Sequence, residues 1–200
     1  MTEQHLQNAL ISVDDCILIS IDIQDGFLSK YDAAATQEMI AKNVWLIKVA
    51  RHLGVPIVAV GEDIPDVGNL NEQILDALGK AQKIHSKDAF NLADNPEILA
   101  DVVASGRKTA VLVGMETDVC VAQSALGLLS KGYQVVAVKD AMITTAADED
   151  IGRERMRNAG VVMTSAKALY YEWIRSVSKA IQLDEEAPEL RAARPSLLVM

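Results

Sequence analysis

Residues 109–132 read TAVLVGMETDVCVAQSALGLLSKG and contain one complete βα unit. Residues 109–113 are β-branched or apolar, which is typical of a buried strand, and residues 119–131 have the composition and length of a helix. Gly132 follows where a residue in the left-handed conformation commonly ends a helix. A strand, a short turn and a helix in this order are the building block of an α/β fold.

The same alternation extends along almost the whole chain. Predicted strands cover residues 16–22, 55–60, 83–85, 109–113, 134–139 and 160–164, and predicted helices cover residues 34–53, 71–78, 96–105, 119–131, 149–158 and 165–180. Gly54 and Gly106 follow two of the helices in the position that Gly132 has after the fourth. This alternation predicts a parallel sheet with helices on both faces, a single-domain three-layer α/β/α sandwich.

The chain length of 200 residues, half of them hydrophobic, fits one compact domain with a sizeable core. From residue 183 the pattern changes to LDEEAPELRAARPSLLVM, in which two prolines and a charge cluster precede an apolar end. We therefore expect residues 1–182 to form the domain. Residues 183–200 are expected to be a tail outside the core, disordered or docked on a neighbouring subunit.

Composition disfavours several classes of protein. A net charge of −9 opposes binding to nucleic-acid phosphates, which attract clustered Lys and Arg. Apolar runs stay shorter than the roughly 18 to 20 residues of a membrane helix, and the first residues lack the pattern of a secretory signal. The sequence thus predicts a cytoplasmic protein without nucleic-acid or membrane partners. Two cysteines, Cys16 and Cys120, do not indicate a disulfide framework.

Asp22 and Cys120 occupy positions where a functional side chain would be expected. Asp22 ends the strand CILISID, and ligands of open α/β sheets bind beyond the carboxyl ends of the strands. An Asp at a strand end can equally cap a turn, so the position alone leaves both roles open. Cys120 begins a predicted helix, whose N-terminus favours an anion and should lower the pKa of a thiol. The alternative is a buried small hydrophobe, which suits Cys16 better.

Lys87 follows the short predicted strand around KIHSK and precedes DAFNL. A single lysine is most often a surface residue, and its spacing alone does not indicate a function. His85 alternates with Lys87, so both side chains could point to the same side of an extended strand. The histidine could line a pocket there or have a structural role.

Three blocks of the sequence, IDIQDGF, KDAF and GMETDVCV, together resemble the signature blocks of the isochorismatase-like cysteine hydrolases. The resemblance spans roughly residues 15–175 and implies a Rossmann-like six-stranded parallel sheet. It also implies a catalytic triad of Asp22, Lys87 and Cys120. By the same resemblance, a cis peptide joins Met115 to Glu116, and the backbone N–H groups of Glu116 and Cys120 form an oxyanion hole.

The resemblance further implies hydrolysis of a C–N bond in a small amide or carbamoyl compound through a thioester on Cys120. A catalytically silent member that acts in binding or assembly, and an isochorismatase-type vinyl-ether hydrolase, are the alternatives. Phe27, Phe90 and Glu116 flank the three blocks and are the candidate substrate-binding residues.

Members that resemble nicotinamidases place metal-binding histidines after the second strand, where this chain has VGEDIPDVGNL without a histidine. We therefore expect no metal and no other cofactor. Members of the family generally assemble into oligomers, so a homo-oligomer is expected as well.

Overall fold

The computed structural model describes residues 10–196 as an α/β/α sandwich around a six-stranded sheet with the order β3-β2-β1-β4-β5-β6. All neighbouring strands are parallel. The strands are β1 Cys16–Ile21, β2 Ile57–Glu62, β3 Ile84–Lys87, β4 Thr109–Met115, β5 Gln134–Ile143 and β6 Val162–Thr164. The fold class predicted from the sequence is confirmed.

Ten α-helices lie in the described part of the chain. They are α1 Asp25–Leu28, α2 Ala33–His52, α3 Ile64–Val67, α4 Glu72–Leu78, α5 Pro96–Ala104, α6 Ala122–Ser130, α7 Ala146–Asn158, α8 Ala166–Ile174, α9 Val177–Glu186 and α10 Pro188–Ala192. A 3₁₀ turn at Leu92–Asp94 precedes α5, and a π-helical turn at Thr117–Val121 precedes α6. Within residues 10–196, no helix combines the length and the apolar character needed to cross a bilayer.

Alternate residues of the central strands face two separate cores. Cys16 and Leu18 of β1 pack in one cluster with apolar residues of α2, α4 and α8, whereas Ile17 and Ile19 pack in the other with residues of α5, α6 and α7. β1 and β4 are therefore buried on both sides, as expected for central strands of a parallel sheet. Strands buried on both faces form a rigid platform for residues at their carboxyl ends.

The chain reverses its direction of winding at β1. β2 and β3 are added on one side of β1, and β4, β5 and β6 on the other. The crevice between the carboxyl ends of β1 and β4 is therefore the topological switch point, where α/β sheets usually bind ligands.

The C-terminal segment differs from the sequence prediction. The helix predicted over residues 165–180 is two helices, α8 and α9, because Arg175 takes a left-handed φ of 70° between them. The expectation of a tail outside the core from residue 183 is wrong for residues 183–192. Leu183, Ala187 and Leu190 are buried in the core, and the Trp45 indole N–H donates to the Leu190 carbonyl oxygen at 3.2 Å.

Pro188 is the first residue of α10, a position where its missing N–H costs nothing, so it starts a helix here and does not end one. The possible docking of residues 197–200 on a neighbouring subunit lies outside the described residues.

Gly114 brings β4 close to β1 at the switch point. Its φ is +116°, and a Cβ built there would lie 2.0 Å from the carbonyl oxygen of Ile21. A side chain would therefore separate the two strands at the point where Asp22 and the turn containing Cys120 emerge.

We expect Gly114→Ala to lower the free energy of unfolding by about 3 kcal/mol or more, because the clash with Ile21 adds to the backbone strain. Gly132→Ala is the matched control, since Gly132 also has a positive φ, +88°, but an added Cβ meets nothing within 4 Å. The Gly132→Ala substitution should lower the free energy of unfolding by only about 1 kcal/mol. Urea unfolding followed by circular dichroism measures both; equal losses would show that the close approach to β1 is unimportant.

Candidate functional site

Four polar side chains converge at the carboxyl ends of four neighbouring strands. Lys87 ends β3, Glu62 ends β2, Asp22 follows β1, and Cys120 lies in the π-helical turn after β4. Glu62 and Lys87 are direct partners in the register of β2 and β3. Parallel pairing thus places residues that are far apart in the sequence side by side.

Asp22 leaves the sheet with an unusual backbone conformation. Its φ is 52°, in the left-handed region that Asp tolerates better than most residues, while its N–H donates to the Val60 carbonyl oxygen at 2.9 Å. Strained backbone of this kind is concentrated at functional sites. The Asp22 side chain is 1% exposed.

The Lys87 ammonium lies at the centre of the cluster. Its Nζ is 2.7 Å from Asp22 Oδ2 and 3.7 Å from Glu62 Oε2, and it donates to Cys120 Sγ at 3.5 Å. The Lys87 side chain has no exposed surface. A lysine buried in this way is rare unless it is paired, so the surface role considered from the sequence does not apply.

Cys120 contacts a second carboxylate that the sequence did not single out. Its thiol donates to Glu62 Oε2 at 3.3 Å. The sequence predicts a second strand that ends at residue 60, with Glu62 in a loop, whereas in the structure β2 continues to Glu62 and directs it to the site. A second strand longer by these two residues places Glu62 at the same sheet edge as Asp22.

Burial dominates the ionisation of Asp22. Removal from water raises the pKa of the Asp22 carboxyl to about 6, although the nearby Lys87 ammonium opposes this shift. For Lys87, burial lowers the pKa, but the charges of Asp22, Cys120 and Glu62 outweigh it and the net direction is upward. At neutral pH the pair is therefore a carboxylate and an ammonium, with Asp22 poised to accept a proton in weakly acidic to neutral solution.

The expected lowering of the Cys120 pKa is wrong. Burial and the Asp22 charge raise the pKa of the thiol, and the Lys87 ammonium only partly offsets them. The turn before α6 does not compensate for two adjacent carboxylates. The thiol is therefore protonated at rest, and a thiolate must be formed by proton transfer. Cys16, fully buried, has a pKa raised by burial to about 11, in agreement with a structural role.

The cluster opens into a cavity of about 230 Å³. It is lined by Asp22, Phe27, Lys30, Glu62, Phe90, Met115, Glu116, Val119 and Cys120. The three candidate substrate-binding residues thus all border it, and Lys30 and Val119 are additions that the sequence did not suggest. A volume of this size suits a small molecule.

Glu116 is fixed on the cavity wall by its neighbours. The peptide bond from Met115 to Glu116 is cis, at the position that the resemblance implies. The Glu116 carboxylate accepts a hydrogen bond from the Tyr31 hydroxyl. The backbone carbonyl oxygen of Glu116 accepts hydrogen bonds from the N–H groups of Val119 and Val121. The turn that contains Cys120 therefore folds around the Glu116 backbone.

His85 does not belong to the cavity lining. It is buried, and its Nε2 lies 2.8 Å from Asp101 Oδ2 on α5. Of the two roles that the sequence left open, the structure supports the structural one.

Within residues 10–196, the side chains of Asp22, Glu62 and Cys120 form the one cluster with metal-ligand character, their ligand atoms lying within 4.8 Å of one another. Lys87 Nζ lies within 3.7 Å of all three side chains. A divalent ion placed among them would be next to an ammonium group. This cluster is therefore better suited to a lysine than to a metal.

A family model described as Isochorismatase domain matches residues 16–168. The chain belongs to the isochorismatase family. Among relatives, it is 27% identical to Isochorismatase family protein 1A of Dictyostelium discoideum over 94% of each chain.

Three solved structures illustrate how widely the fold of the isochorismatase family is shared. The MAR1 ribonuclease from Caenorhabditis elegans has a TM-score of 0.82 at 24% identity, covering 94% of each chain. The YcaC gene product of Escherichia coli, an octameric hydrolase of unknown specificity, has a TM-score of 0.79 at 22% identity. The match covers 92% of this chain and 94% of the YcaC chain. N-carbamoylsarcosine amidase from Thermoplasma acidophilum has a TM-score of 0.65 at 19% identity. The match covers 76% of this chain and 96% of the amidase chain. At these identities the likeness concerns the fold.

We predict opposite effects of the two charged neighbours on the reactivity of the Cys120 thiol. Asp22→Asn removes a charge that raises the thiol pKa and should speed alkylation by iodoacetamide at neutral pH, about three- to fourfold for each unit by which the pKa falls, because the thiolate fraction rises while its nucleophilicity decreases. Lys87→Met should slow it. Rates are measured by mass spectrometry of the Cys120 peptide in a Cys16→Ala background. Slower alkylation of Asp22→Asn than of its parent would contradict the electrostatic assignment.

Proposed function

We propose that this isochorismatase-family hydrolase cleaves the C–N bond of a small non-peptide amide or carbamoyl compound through a thioester on Cys120. The observation that supports it most lies at the base of a small cavity, where Lys87 contacts both the Cys120 thiol and the Asp22 carboxylate, and Asp22 lies within 4.8 Å of the sulfur. A nucleophile beside a base that is itself oriented by a third group is the usual arrangement for covalent catalysis.

In the proposed first half of the reaction, Asp22 accepts the thiol proton and the thiolate attacks the carbonyl carbon. Lys87 stabilises the negative charge while it moves from carboxylate to sulfur. The backbone N–H groups of Glu116 and Cys120 are the proposed oxyanion hole. Asp22 then gives the proton to the departing amine, the C–N bond breaks, and an acyl group remains on Cys120.

The burial of the site supports the roles of Cys120 as nucleophile and Asp22 as base. Because the Cys120 pKa is raised, a standing thiolate is not available, and the base must be close to the sulfur. Asp22, with a pKa of about 6, can both take and return a proton near neutral pH. The proposal therefore needs no metal or cofactor.

Among the solved structures with this fold, the ribonuclease is named for RNA and the amidase for a small carbamoyl compound. A net charge of −9 does not favour an RNA substrate, whereas the small cavity beside a thiol favours a small amide. A catalytically silent member would not need Asp22, Lys87 and Cys120 in mutual contact. A vinyl-ether hydrolase would not need the thiol.

We also propose that the protein is a cytoplasmic homo-oligomer, in line with the octameric solved relative. Light scattering coupled to size-exclusion chromatography measures the number of subunits.

We expect Cys120→Ala to reduce ammonia release from a panel of small amides and carbamoyl compounds to background, because the nucleophile is lost. Cys16→Ala is the matched control and should keep the wild-type rate. An undiminished rate in Cys120→Ala would rule out the thioester route.

The activity should have an acid limb near pH 6. As pH falls below the Asp22 pKa of about 6, Asp22 is protonated and can no longer accept the thiol proton, so kcat/KM decreases. Asp22→Asn should lower kcat/KM by at least about 10²-fold and abolish this limb. A pH profile of kcat/KM on the best substrate of the panel tests this; an unchanged limb in Asp22→Asn would assign it to another group.

A further inference from the structure

We infer that Glu62 is the general base of the second half-reaction, in which water hydrolyses the thioester on Cys120. This inference rests on the proposed function, since it requires an acyl group on Cys120. It concerns a side chain outside the proposed Asp22, Lys87 and Cys120 triad, and it divides the two proton transfers between two carboxylates.

The two carboxylates next to the thiol differ in their access to solvent. The Asp22 side chain is 1% exposed and its Oδ2 lies 2.7 Å from Lys87 Nζ. The Glu62 side chain is 21% exposed, borders the cavity and lies at the longer distance of 3.7 Å from the same ammonium. Both carboxylates border the cavity, but water that enters it reaches the more exposed Glu62 side chain more readily than the Asp22 side chain, which is paired with Lys87.

Glu62 is also fixed in place by its backbone. The buried Gln24 amide donates to the Glu62 carbonyl oxygen at 2.8 Å and accepts from the Glu62 N–H at 2.7 Å. The same Gln24 Nε2 donates to the Gly68 carbonyl oxygen at 2.7 Å. Because Gln24 joins the end of β2 to the loop beyond it, the Glu62 side chain starts from a defined point beside the sulfur.

Formation of the thioester changes what Glu62 contacts. In the free enzyme, Glu62 Oε2 accepts the Cys120 S–H at 3.3 Å. Once the sulfur is acylated this hydrogen is gone, and the oxygen is left without that donor next to the new thioester. A water molecule can replace the lost donor at the same oxygen, within reach of the carbonyl carbon.

The proposed step is balanced. Glu62 Oε2 takes one proton from water, the water oxygen forms a bond to the thioester carbonyl carbon, and the C–S bond breaks. The sulfur leaves as a thiolate and recovers a proton from Glu62. One water is consumed, a free acid is released, and Cys120 and Glu62 return to the state seen in the structure.

The experiment uses p-nitrophenyl acetate as substrate. Its leaving group needs no proton, so acylation of Cys120 is fast and the rate of turnover is limited by hydrolysis of the acetyl-enzyme. We expect Glu62→Gln to release a burst of about one equivalent of p-nitrophenolate and then turn over at least about 10²-fold more slowly than wild type. Intact mass spectrometry should show one acetyl group, mapped to Cys120. Hydroxylamine, which attacks thioesters without a general base, should speed turnover of this variant more than that of wild type.

Two variants serve as controls. Glu185→Gln removes the same charge at an exposed position on α9 and should behave as wild type. Asp22→Asn retains Glu62, so the acetyl group on Cys120 should not be longer-lived in this variant than in wild type. A variant that merely disturbs the fold would lose burst and steady state together.

The outcomes separate this inference from the proposed function. If wild-type Cys120 is not acetylated, or if Cys120→Ala hydrolyses the ester as fast as wild type, the proposed function fails and the role of Glu62 fails with it. If Cys120 is acetylated but Glu62→Gln deacylates at the wild-type rate, or loses its burst, only the role of Glu62 is overturned.

Discussion

The buried ammonium of Lys87 is the interaction on which the arrangement of the site depends. A cation without exposed side-chain surface must have anionic or polar partners, since removal from water otherwise costs several kcal/mol. Asp22, Glu62 and Cys120 provide them from three other segments of the chain. Lys87 thus links the ends of four strands electrostatically, and its charge lowers the pKa of both Asp22 and Cys120 against the opposing effect of burial.

A second constraint is steric and lies directly beneath this cluster. β4 approaches β1 so closely at Gly114 that a Cβ has no room beside the Ile21 carbonyl. The residues that follow on the two strands therefore emerge together, Asp22 from β1 and the turn with Cys120 from β4. The close approach also lies at the topological switch point, so one backbone contact brings together the segments that carry the acid and the thiol.

The electrostatic picture that results differs from a thiol activated at a helix end. The local sequence around Cys120 favours an anion, but burial and the carboxylates contributed by other strands have the larger effect and raise the thiol pKa. Reactivity then depends on proton transfer to a neighbour and not on a standing thiolate. The structure separates the neighbours by depth, with Asp22 beside the ammonium and Glu62 beside the solvent.

Local patterns were sufficient for most of the fold and for part of the site. Short β-branched runs alternating with longer amphipathic segments predict the six strands, and the blocks around Asp22, Lys87 and Cys120 resemble those of the family. The prediction for the tail is wrong because Pro188, which is typical of the end of regular structure, here begins α10. The spacing of Leu183, Ala187 and Leu190, which pack together on one side of the tail helices, was already present in the sequence.

The sequence by itself determined which segments are strands and helices and which residue types stand at their ends, because these depend on neighbours within a few positions. Only the tertiary structure decided that Glu62 contacts the Cys120 thiol, that His85 pairs with Asp101, and that the thiol is protonated. Those properties depend on distances between segments and on the removal of water from charged groups. Neither is set until parallel strands pair and the cores on both faces of the sheet close.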